Sequence, residues 1–365
     1  MTRSSKSEVL RAHCAAIAEE ETILREGGGK AGHERQRKWG RLPVRERLNQ
    51  LLDKGSPFFE VGLWAAYKMY EQWGKIPAAG VVTGIGNVEG VPCMVVANDA
   101  TVKAGAFFPA TTKKVIRAQR IAFECALPLI YLVDSAGVFL PMQDEIFPDE
   151  DDFGRIFRNN SVISAAGIPQ FAAIMGNCVA GGAYLPVLCD KILMTQGSGL
   201  YLAGPSLVKA AIGQIVDAEE LGGAKLVNAV SNSVVPKITV IVGGSFGAGN
   251  YALCGKAYDP RFIVAWPNAR YAVMGAAQAS DTVFSILAKA RERGDKKASP
   301  EELEELRAKV KQSYEEQTDI RYGAARGWVD AIIQPDETRD VLIRLLGFVS
   351  RPMPKAHFHT GVIQT

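Results

Sequence analysis

One pattern constrains this chain more than any other: a glycine-rich segment that occurs twice. The first copy runs Gly167-Ile168-Pro169, an apolar stretch Phe171-Ala172-Ala173-Ile174-Met175, then Gly176-Asn177-Cys178-Val179-Ala180-Gly181-Gly182-Ala183-Tyr184. The second runs Val234-Val235-Pro236, then Ile238-Thr239-Val240-Ile241-Val242, then Gly243-Gly244-Ser245-Phe246-Gly247-Ala248-Gly249-Asn250-Tyr251. Aligned without gaps, Pro169, Ile174, Gly176, Gly182 and Tyr184 fall on Pro236, Ile241, Gly243, Gly249 and Tyr251. Such a match predicts one supersecondary unit used twice. In each copy a buried strand leads into a tight turn of small residues, which presents backbone N–H groups with no side chain in front of them. Preorganised amides of this kind form oxyanion holes. The plainer reading is two strand-to-helix turns that need glycine for their backbone angles or for close packing. The pairing of the turns after two matched strands argues against it.

The rest of the chain supplies an α/β framework for these turns. Residues 7–26 read as an amphipathic helix with Val9, Leu10, Ile17, Ile23 and Leu24 apolar, ended by Gly27-Gly28-Gly29. A basic stretch follows, from His33 through Arg35, Arg37, Lys38, Arg41 and Arg45 to Arg47, overlapping a short helix over 44–52 whose Leu48, Leu51 and Leu52 face a core. Two strand-like runs, Gly80–Ile85 and Val91–Ala97, joined by Gly86-Asn87-Val88-Glu89-Gly90, give a hairpin signal. Thr111–Ala126 reads as a helix stopped by Pro128, and Leu129–Val133 as a buried strand ending in Asp134-Ser135-Ala136-Gly137. Ser161–Ala166 belongs to a further helix. Strand, turn and helix in repetition predict a layered α/β fold. Lys289–Asp319 reads as a solvated helical excursion, broken near Gly294 and at Ser299-Pro300, and Asp340–Val349 as a closing helix.

Composition excludes more than it assigns. With 365 residues the chain is long enough for two domains. A net charge of +3 gives no argument for nucleic acid. Cys14, Cys93, Cys125, Cys178, Cys189 and Cys254 show no CxxC spacing and several sit in apolar runs, which predicts reduced thiols and a reducing compartment. No apolar run reaches the ~18 residues of a membrane span. The first residues lack an apolar signal core, so the cytoplasm is the expected location, or the mitochondrial matrix in a eukaryote.

Catalytic side chains are scarce. His13, His33, His357 and His359 all lie near the termini, none beside a glycine turn. There is no GxSxG elbow, HExxH pair, His/Cys cluster with metal spacing or P-loop lysine. Gly84, Gly86 and Gly90 do not make GxGxxG and lie between strands rather than before a helix. The acidic run Asp149–Asp152 reads as a solvated loop, and no metal is expected. What remains is chemistry done by backbone amides, and two holes suit a reaction with two developing oxyanions, such as enolate chemistry on a thioester. On the 111–126 helix Lys113, Arg117 and Arg120 share a face, with Lys114 beside them. They read either as a phosphate-binding patch for coenzyme A or as a solvated, salt-bridged face.

Long segments then give a resemblance. GRLPVRERLNQLLDKGSPFFEV, GVVTGIGNVEGVPCMVVANDATVKAGAFFP, KKVIRAQRIA, YLVDSAGVFLPMQDEIFPDEDDFGRIF, MGNCVAGGAYLPV, LAGPSLVKAAIGQIVDAEELGGA, VPKITVIVGGSFGAGNYALCGKAYDPRFIVAWPNARYAVMGAAQAS and YGAARGWVDAIIQPDETRDVL resemble the carboxyltransferase (beta) subunits of biotin-dependent acyl-CoA carboxylases. The FLPMQDEIFPDEDDFGRIF loop resembles the 3-methylcrotonyl-CoA branch rather than the propionyl- or acetyl-CoA branches.

The resemblance implies a crotonase-like α/β superhelix of ββα repeats in two related domains, an N-type one over 1–223 and a C-type one over 224–365. It implies that one hole, at Ala180, Gly181 and Gly182, holds the acyl-CoA thioester oxygen, and that the other, at Gly247, Ala248 and Gly249, holds the biotin carbonyl. Ala136, Gly137 and Phe139 join the basic helix as expected substrate contacts. The implied chemistry is release of CO2 from carboxybiotin, removal of a substrate proton by the biotin, and attack of the γ-carbon of an enoyl-CoA on CO2. The biotin comes on a partner, a biotinylated alpha subunit, because this chain has no AMKM-like attachment motif. A homo-oligomer is expected too.

The sequence departs from the family at one place. After Glu219–Ala224 it passes at once into KLVNAVSNSVVPKITV, which belongs to the middle of the C-type domain. The hairpin, loop, helix and strand that precede the first glycine turn have no counterpart before the second. The missing piece is on the order of 100 residues or more by repeat logic. An active carboxyltransferase, an internally deleted assembly-only homologue, and a propionyl-CoA, glutaconyl-CoA-type or hydratase-like enzyme on the same fold all remain open at this point.

Overall fold

The computed structural model of the chain describes residues 6–195, 198–201, 233, 235–273, 275, 284 and 299–349. The Glu219–Ala224 junction, residues 289–298 and the tail after 352 lie outside the described residues. By contact the chain divides into two compact units. One comprises Met1–Gly137, Ile168–Gly182 and Asp190–Leu200; the other comprises Val138–Gly167, Ala183–Cys189 and Tyr201–Thr365.

The first unit opens with three helices, α1 (Lys6–Arg25), α2 (Gly29–Lys38) and α3 (Val44–Leu51). They precede strands β1 (Phe59–Val61), β2 (Val81–Val88) and β3 (Val91–Asn98), helix α4 (Pro109–Glu124) and strand β4 (Leu129–Ser135). The hairpin is tighter than expected. Val88 pairs with Val91, so only Glu89-Gly90 turns, and Glu89 and Gly90 both have positive φ. That is the geometry of a two-residue hairpin loop matched to strand twist. β4 then adds parallel to β3, with Met94 opposite Leu129, and buries nearly every residue. Continuous apolar sequence suits such a central parallel strand. α3 closes one side of this sheet. Val44 and Leu48 pack with Val82, Val95, Ala97 and Leu132, while Leu51 and Leu52 lie at the edge of the same cluster.

α1 forms where expected but with the opposite face inward. Val9, Leu10, Ile17 and Ile23 are exposed, whereas its polar side is attached. Trp64 Nε1 donates to Glu21 at 3.1 Å, Tyr67 bonds Glu20, and Arg25 approaches Glu60. Charged hydrogen bonds to partly buried aromatic groups, not apolar burial, orient this helix.

After α5 (Phe153–Ala165) the sheet continues with β5 (Gln170–Val179), α6 (Tyr184–Val187), β6 (Lys191–Met194) and β7 (Gly199–Tyr201). β5 lies between β4 and β6, parallel to both, and β7 pairs with β5 off the main path. The second copy supplies β8 (Ile238–Ile241), β9 (Gly244–Phe246), α7 (Gly247–Ala252), β10 (Phe262–Ala265) and β11 (Arg270–Ala272). It is followed by α8 (Pro300–Thr318), α9 (Ile320–Ala325), β12 (Ala331–Ile332) and α10 (Thr338–Val349). α8 is the predicted solvated helix, started by a reciprocal Ser299–Glu302 capping box.

The register bears out the repeat. Phe171 to Ile174 pair one by one with Lys191 to Met194, and the aligned Ile238 to Ile241 pair one by one with Phe262 to Ala265. The flanking bonds correspond too. Asp190 N donates to Gln170 O and Thr195 N to Ile174 O, as Arg261 N does to Lys237 O and Trp266 N to Ile241 O. In the second unit Phe157 of α5 stands 5.6 Å from the rings of both repeat-related tyrosines, Tyr184 and Tyr251. A separate core there gathers Ile241, Ile263, Ala265, Tyr271, Ile320 and Trp328.

Candidate active site

The first glycine turn is built at the carboxyl end of a central parallel strand, where α/β sheets present their ligand sites. β5 leaves β4 through a register slip: Val133 faces Ile174, but Ser135 faces Cys178. The strand then passes into a 3-10 turn, Ala180–Ala183. Cys178 is fully buried, and its thiol donates to Gly182 O at 3.3 Å. Burial, with Asp134 nearby, pushes that thiol up to about 12, so it stays protonated and tethers the turn.

Two other loops close on this turn within the same unit. Gly182 faces Gly137, and a Cβ built on Gly182 would stand 3.6 Å from Gly137 Cα. The Ser135–Gly137 loop is stitched to residues 103–107. Ser135 Oγ donates to Gly105 O at 2.7 Å, Ala136 N to Ala104 O at 3.0 Å, and Phe107 N to Gly137 O at 2.8 Å. Gly137 N donates to Ser135 Oγ at 3.1 Å. The amides of Ala136 and Gly137 are therefore engaged internally, and these residues can contribute shape or carbonyls but not free donors. Lys103, Ala104 and Gly105 have φ of 46°, 54° and 68°, three successive left-handed residues. Left-handed backbone costs about 1–2 kcal/mol per non-glycine residue, and such strain collects at functional sites. Gly105 admits no side chain, since its Cβ would lie 2.2 Å from Asp134 O.

The second turn is built differently. β9 pairs parallel with β11 directly ahead of it, and Gly247, with φ of 55°, starts α7. A Cβ at Gly249 or Gly243 would meet nothing within 4 Å. Asn250, fully engaged, bonds Ser245 Oγ and Tyr271 OH through its side-chain amide. Phe139 lies half-buried in the second unit.

Comparison with known proteins gives this geometry its context. The carboxyl transferase domain model matches residues 35–227 and again 222–351. The chain belongs to the carboxyl transferase family. It is 34% identical to the biotin-dependent 3-methylcrotonyl-coenzyme A carboxylase beta1 subunit of Mycobacterium tuberculosis, over 87% of this chain and 90% of that one. It is 33% identical to the mitochondrial methylcrotonoyl-CoA carboxylase beta chain of Arabidopsis thaliana, over 91% and 85%. Among solved structures, the beta subunit of P. aeruginosa geranyl-CoA carboxylase superposes with a TM-score of 0.51 at 26% identity, covering 98% of this chain and 96% of that one. This is the crotonase-like fold of carboxyltransferases, and the chain is a carboxyltransferase component of the biotin-dependent acyl-CoA carboxylase kind, similar to methylcrotonyl-CoA carboxylase beta subunits. The mycobacterial alignment spans 477 positions against a chain of 365 residues, so at least 112 of its positions have no counterpart here. The number is in keeping with the piece, on the order of 100 residues, that repeat logic expects to be absent.

For a carboxyltransferase of this family, the basic helix divides into two parts. Lys113, Arg117 and Arg120 are exposed on one face of α4. Lys114 is turned inward. Its ammonium donates to Ala78 O at 2.9 Å and Val81 O at 2.6 Å, and burial lowers it to about 7 against the opposing effect of Glu60. It pins α4 to the start of β2 and is not part of an exposed patch. One turn earlier Thr111 Oγ1 donates to Ala79 O at 2.6 Å. Among the described residues no group of three His, Cys, Asp or Glu could hold a metal, and no helix is long and apolar enough to cross a membrane.

The residues that sequence reading passed over are Arg47 and Asp134. Both are buried, and Arg47 Nη2 donates to Asp134 Oδ2 at 2.8 Å. The signal was present in α3, where Arg47 shares the apolar face of Val44, Leu48 and Leu51. A charge there requires a buried counter-charge, and Asp134 at the end of an apolar strand is the candidate. None of the described cysteines is in a disulfide; Cys93, Cys178, Cys189 and Cys254 are buried and Cys14 and Cys125 exposed.

Proposed function

We propose that this chain moves CO2 to the γ-carbon of an enoyl-CoA such as 3-methylcrotonyl-CoA, with Ala180, Gly181 and Gly182 receiving the thioester oxygen and Gly247, Ala248 and Gly249 the carbonyl of biotin. The observation that supports the reading is the matched register of β5 and β8, Phe171–Ile174 and Ile238–Ile241, after which the two turns follow at the same sequence distance. Small residues suit close approach: Gly182 and Gly249 have room in front of them that a side chain would fill. Carboxybiotin, when bound, supplies the CO2 and the base. The chain's part is to orient the thioester and to hold hydrogen-bond donors where negative charge develops, worth about 3 kcal/mol per well-aimed donor. Lys113, Arg117 and Arg120 are proposed to take the phosphates of coenzyme A, with Ala136, Gly137 and Phe139 lining the acyl end.

The biotin is carried by a biotinylated alpha subunit, and the working form is a homo-oligomer in the cytoplasm, or in the mitochondrial matrix of a eukaryote. A domain boundary at 223/224, between an N-type and a partial C-type domain, is supported by the meeting of the two family matches at 222–227. A second reading has its own support. β8 ends its sheet among the described residues, and at least 112 positions of the mycobacterial alignment have no counterpart here, which favours an internally deleted, assembly-only homologue. The test is carboxylation of 3-methylcrotonyl-CoA against propionyl-CoA by the full chain with its biotinylated partner. Preference for 3-methylcrotonyl-CoA is expected. Equal or faster propionyl-CoA turnover would overturn the substrate, and no turnover of either would favour the assembly-only reading.

A further inference from the structure

We infer that Arg47 and Asp134 are positioning residues that set the shape of the first glycine turn. The inference rests on the reading of residues 180–182 as the acyl-CoA end of the site. Two backbone segments converge on Asp134, and a third continues from it. Its own carbonyl lies against Gly105, at a place where a Cβ would sit 2.2 Å away. Its carboxylate lies against Gly176, where a Cβ would sit 2.0 Å from Oδ1. The next residue, Ser135, begins the loop that faces Gly182. Gly176 falls inside the stretch where β5 gains two residues on β4, between the pairs Val133–Ile174 and Ser135–Cys178. The carboxylate fills the space that this slip opens.

Arg47 fixes the carboxylate in that space. Its Nη2 donates to Oδ2 at 2.8 Å and its Nε donates to Leu42 O at 2.7 Å. Arg41 stands 3.8 Å from Oδ1 on the same side. Both members of the pair are less than a tenth exposed. A buried ion pair adds little net stability over well-packed apolar groups, so geometry is the better account of its presence. Removing it lets β5 re-register or the 135–137 loop shift. A displacement of about 1 Å at catalytic groups is enough to cost roughly a hundredfold in rate.

The experiment uses the full chain with its biotinylated partner and three variants: Arg47→Met, Arg47→Lys, and Arg47→Met with Asp134→Asn. The single Arg47→Met leaves the buried carboxylate without its hydrogen-bonded partner, with only Arg41 at 3.8 Å, and is expected to lose stability. The double variant, neutral at both positions, recovers thermal stability. Amide hydrogen exchange in that stable double variant is expected to rise at least tenfold at residues 135–137 and 176–182, while Leu129–Val133 and Phe171–Ile174 stay protected. Its kcat for 3-methylcrotonyl-CoA is expected to fall at least tenfold, with binding of coenzyme A itself changed less than threefold and Arg47→Lys restoring part of kcat. Wild-type exchange at 176–182 in the double variant overturns the inference whatever the activity of the parent chain. Recovery of both stability and kcat overturns it too, leaving the pair a purely structural one. A parent chain inactive on every acyl-CoA, with exchange still raised in the variant, breaks the functional reading and keeps the positioning.

Discussion

The two glycine turns are copies in sequence and in register, yet they stand in different surroundings. β5 has β4 on one side and β6 on the other. β8 has β10, the counterpart of β6, and at its other edge no strand among the described residues. Burial follows. Ala172 and Ile174 are fully buried, whereas the aligned Thr239 is half-buried and Ile241 retains a little exposure. The repeat thus shows what one added strand contributes: a second row of hydrogen bonds, a covered edge, and the Asp134 carboxylate that braces the turn from below. An uncovered edge is a surface that other chains can pair with, so the second copy is the part of the molecule more dependent on what surrounds it.

The largest expected difference between the copies is at Gly176 and its counterpart Gly243. An alanine methyl at 176 would collide with all three atoms of the Asp134 carboxylate, at 2.0–2.5 Å, and that carboxylate is held by Arg47. Gly176→Ala should cost about 3 kcal/mol or more, the scale of a disrupted buried ion pair plus overpacking. At Gly243 nothing lies within 4 Å, and Gly243→Ala should stay within about 0.5 kcal/mol. Chemical denaturation of the two variants measures this, and equal losses would break the claim that the copies are braced differently.

A smaller effect is expected one turn further on. Gly182 and Gly249 both have room for a methyl group, so neither substitution to alanine should unfold the chain. On the proposed reading, a methyl in front of the amides obstructs an incoming oxyanion. Gly182→Ala is expected to lower kcat/KM at least tenfold, about 1.4 kcal/mol of transition-state stabilisation, with the melting temperature unchanged. Gly249→Ala should lose less, because its surroundings are open. A loss at Gly182 alone would mean that the first copy does the measurable chemistry, and no loss at either would remove the oxyanion holes from the mechanism.

Much of this was legible in the sequence, and what escaped has a common cause. The hairpin, α4, β4 and both turns follow from period, glycine placement and apolar runs, all of them local signals. The inward turn of Lys114 is set by two carbonyls of residues 78 and 81, and the Arg47–Asp134 pair joins positions 87 residues apart. Neither partner is visible from its own neighbourhood. α1 shows the reverse failure. Its apolar positions do form a stripe, but apolar periodicity reports only that a face wants burial. Here Glu20, Glu21 and Arg25 had polar partners to reach, and they turned the stripe outward.

The finest expected difference is dynamic. In a parallel sheet each strand sends its N–H groups alternately to its two neighbours. Residues 171–174 of β5 have neighbours on both sides, so their amides should open only with the whole sheet. Ile238–Ile241 bond to β10 on one side, and alternate amides face the other. Amide hydrogen exchange should therefore be at least tenfold faster for the least protected residues of β8 than for any of 171–174, about 1.4 kcal/mol in opening free energy. Repeating the measurement with the proposed biotinylated partner present sharpens the comparison. A rise in β8 protection on adding the partner would show that assembly covers the edge. Equal protection in the isolated chain would show that another part of the same chain already covers it, and that the second copy is as well supported as the first.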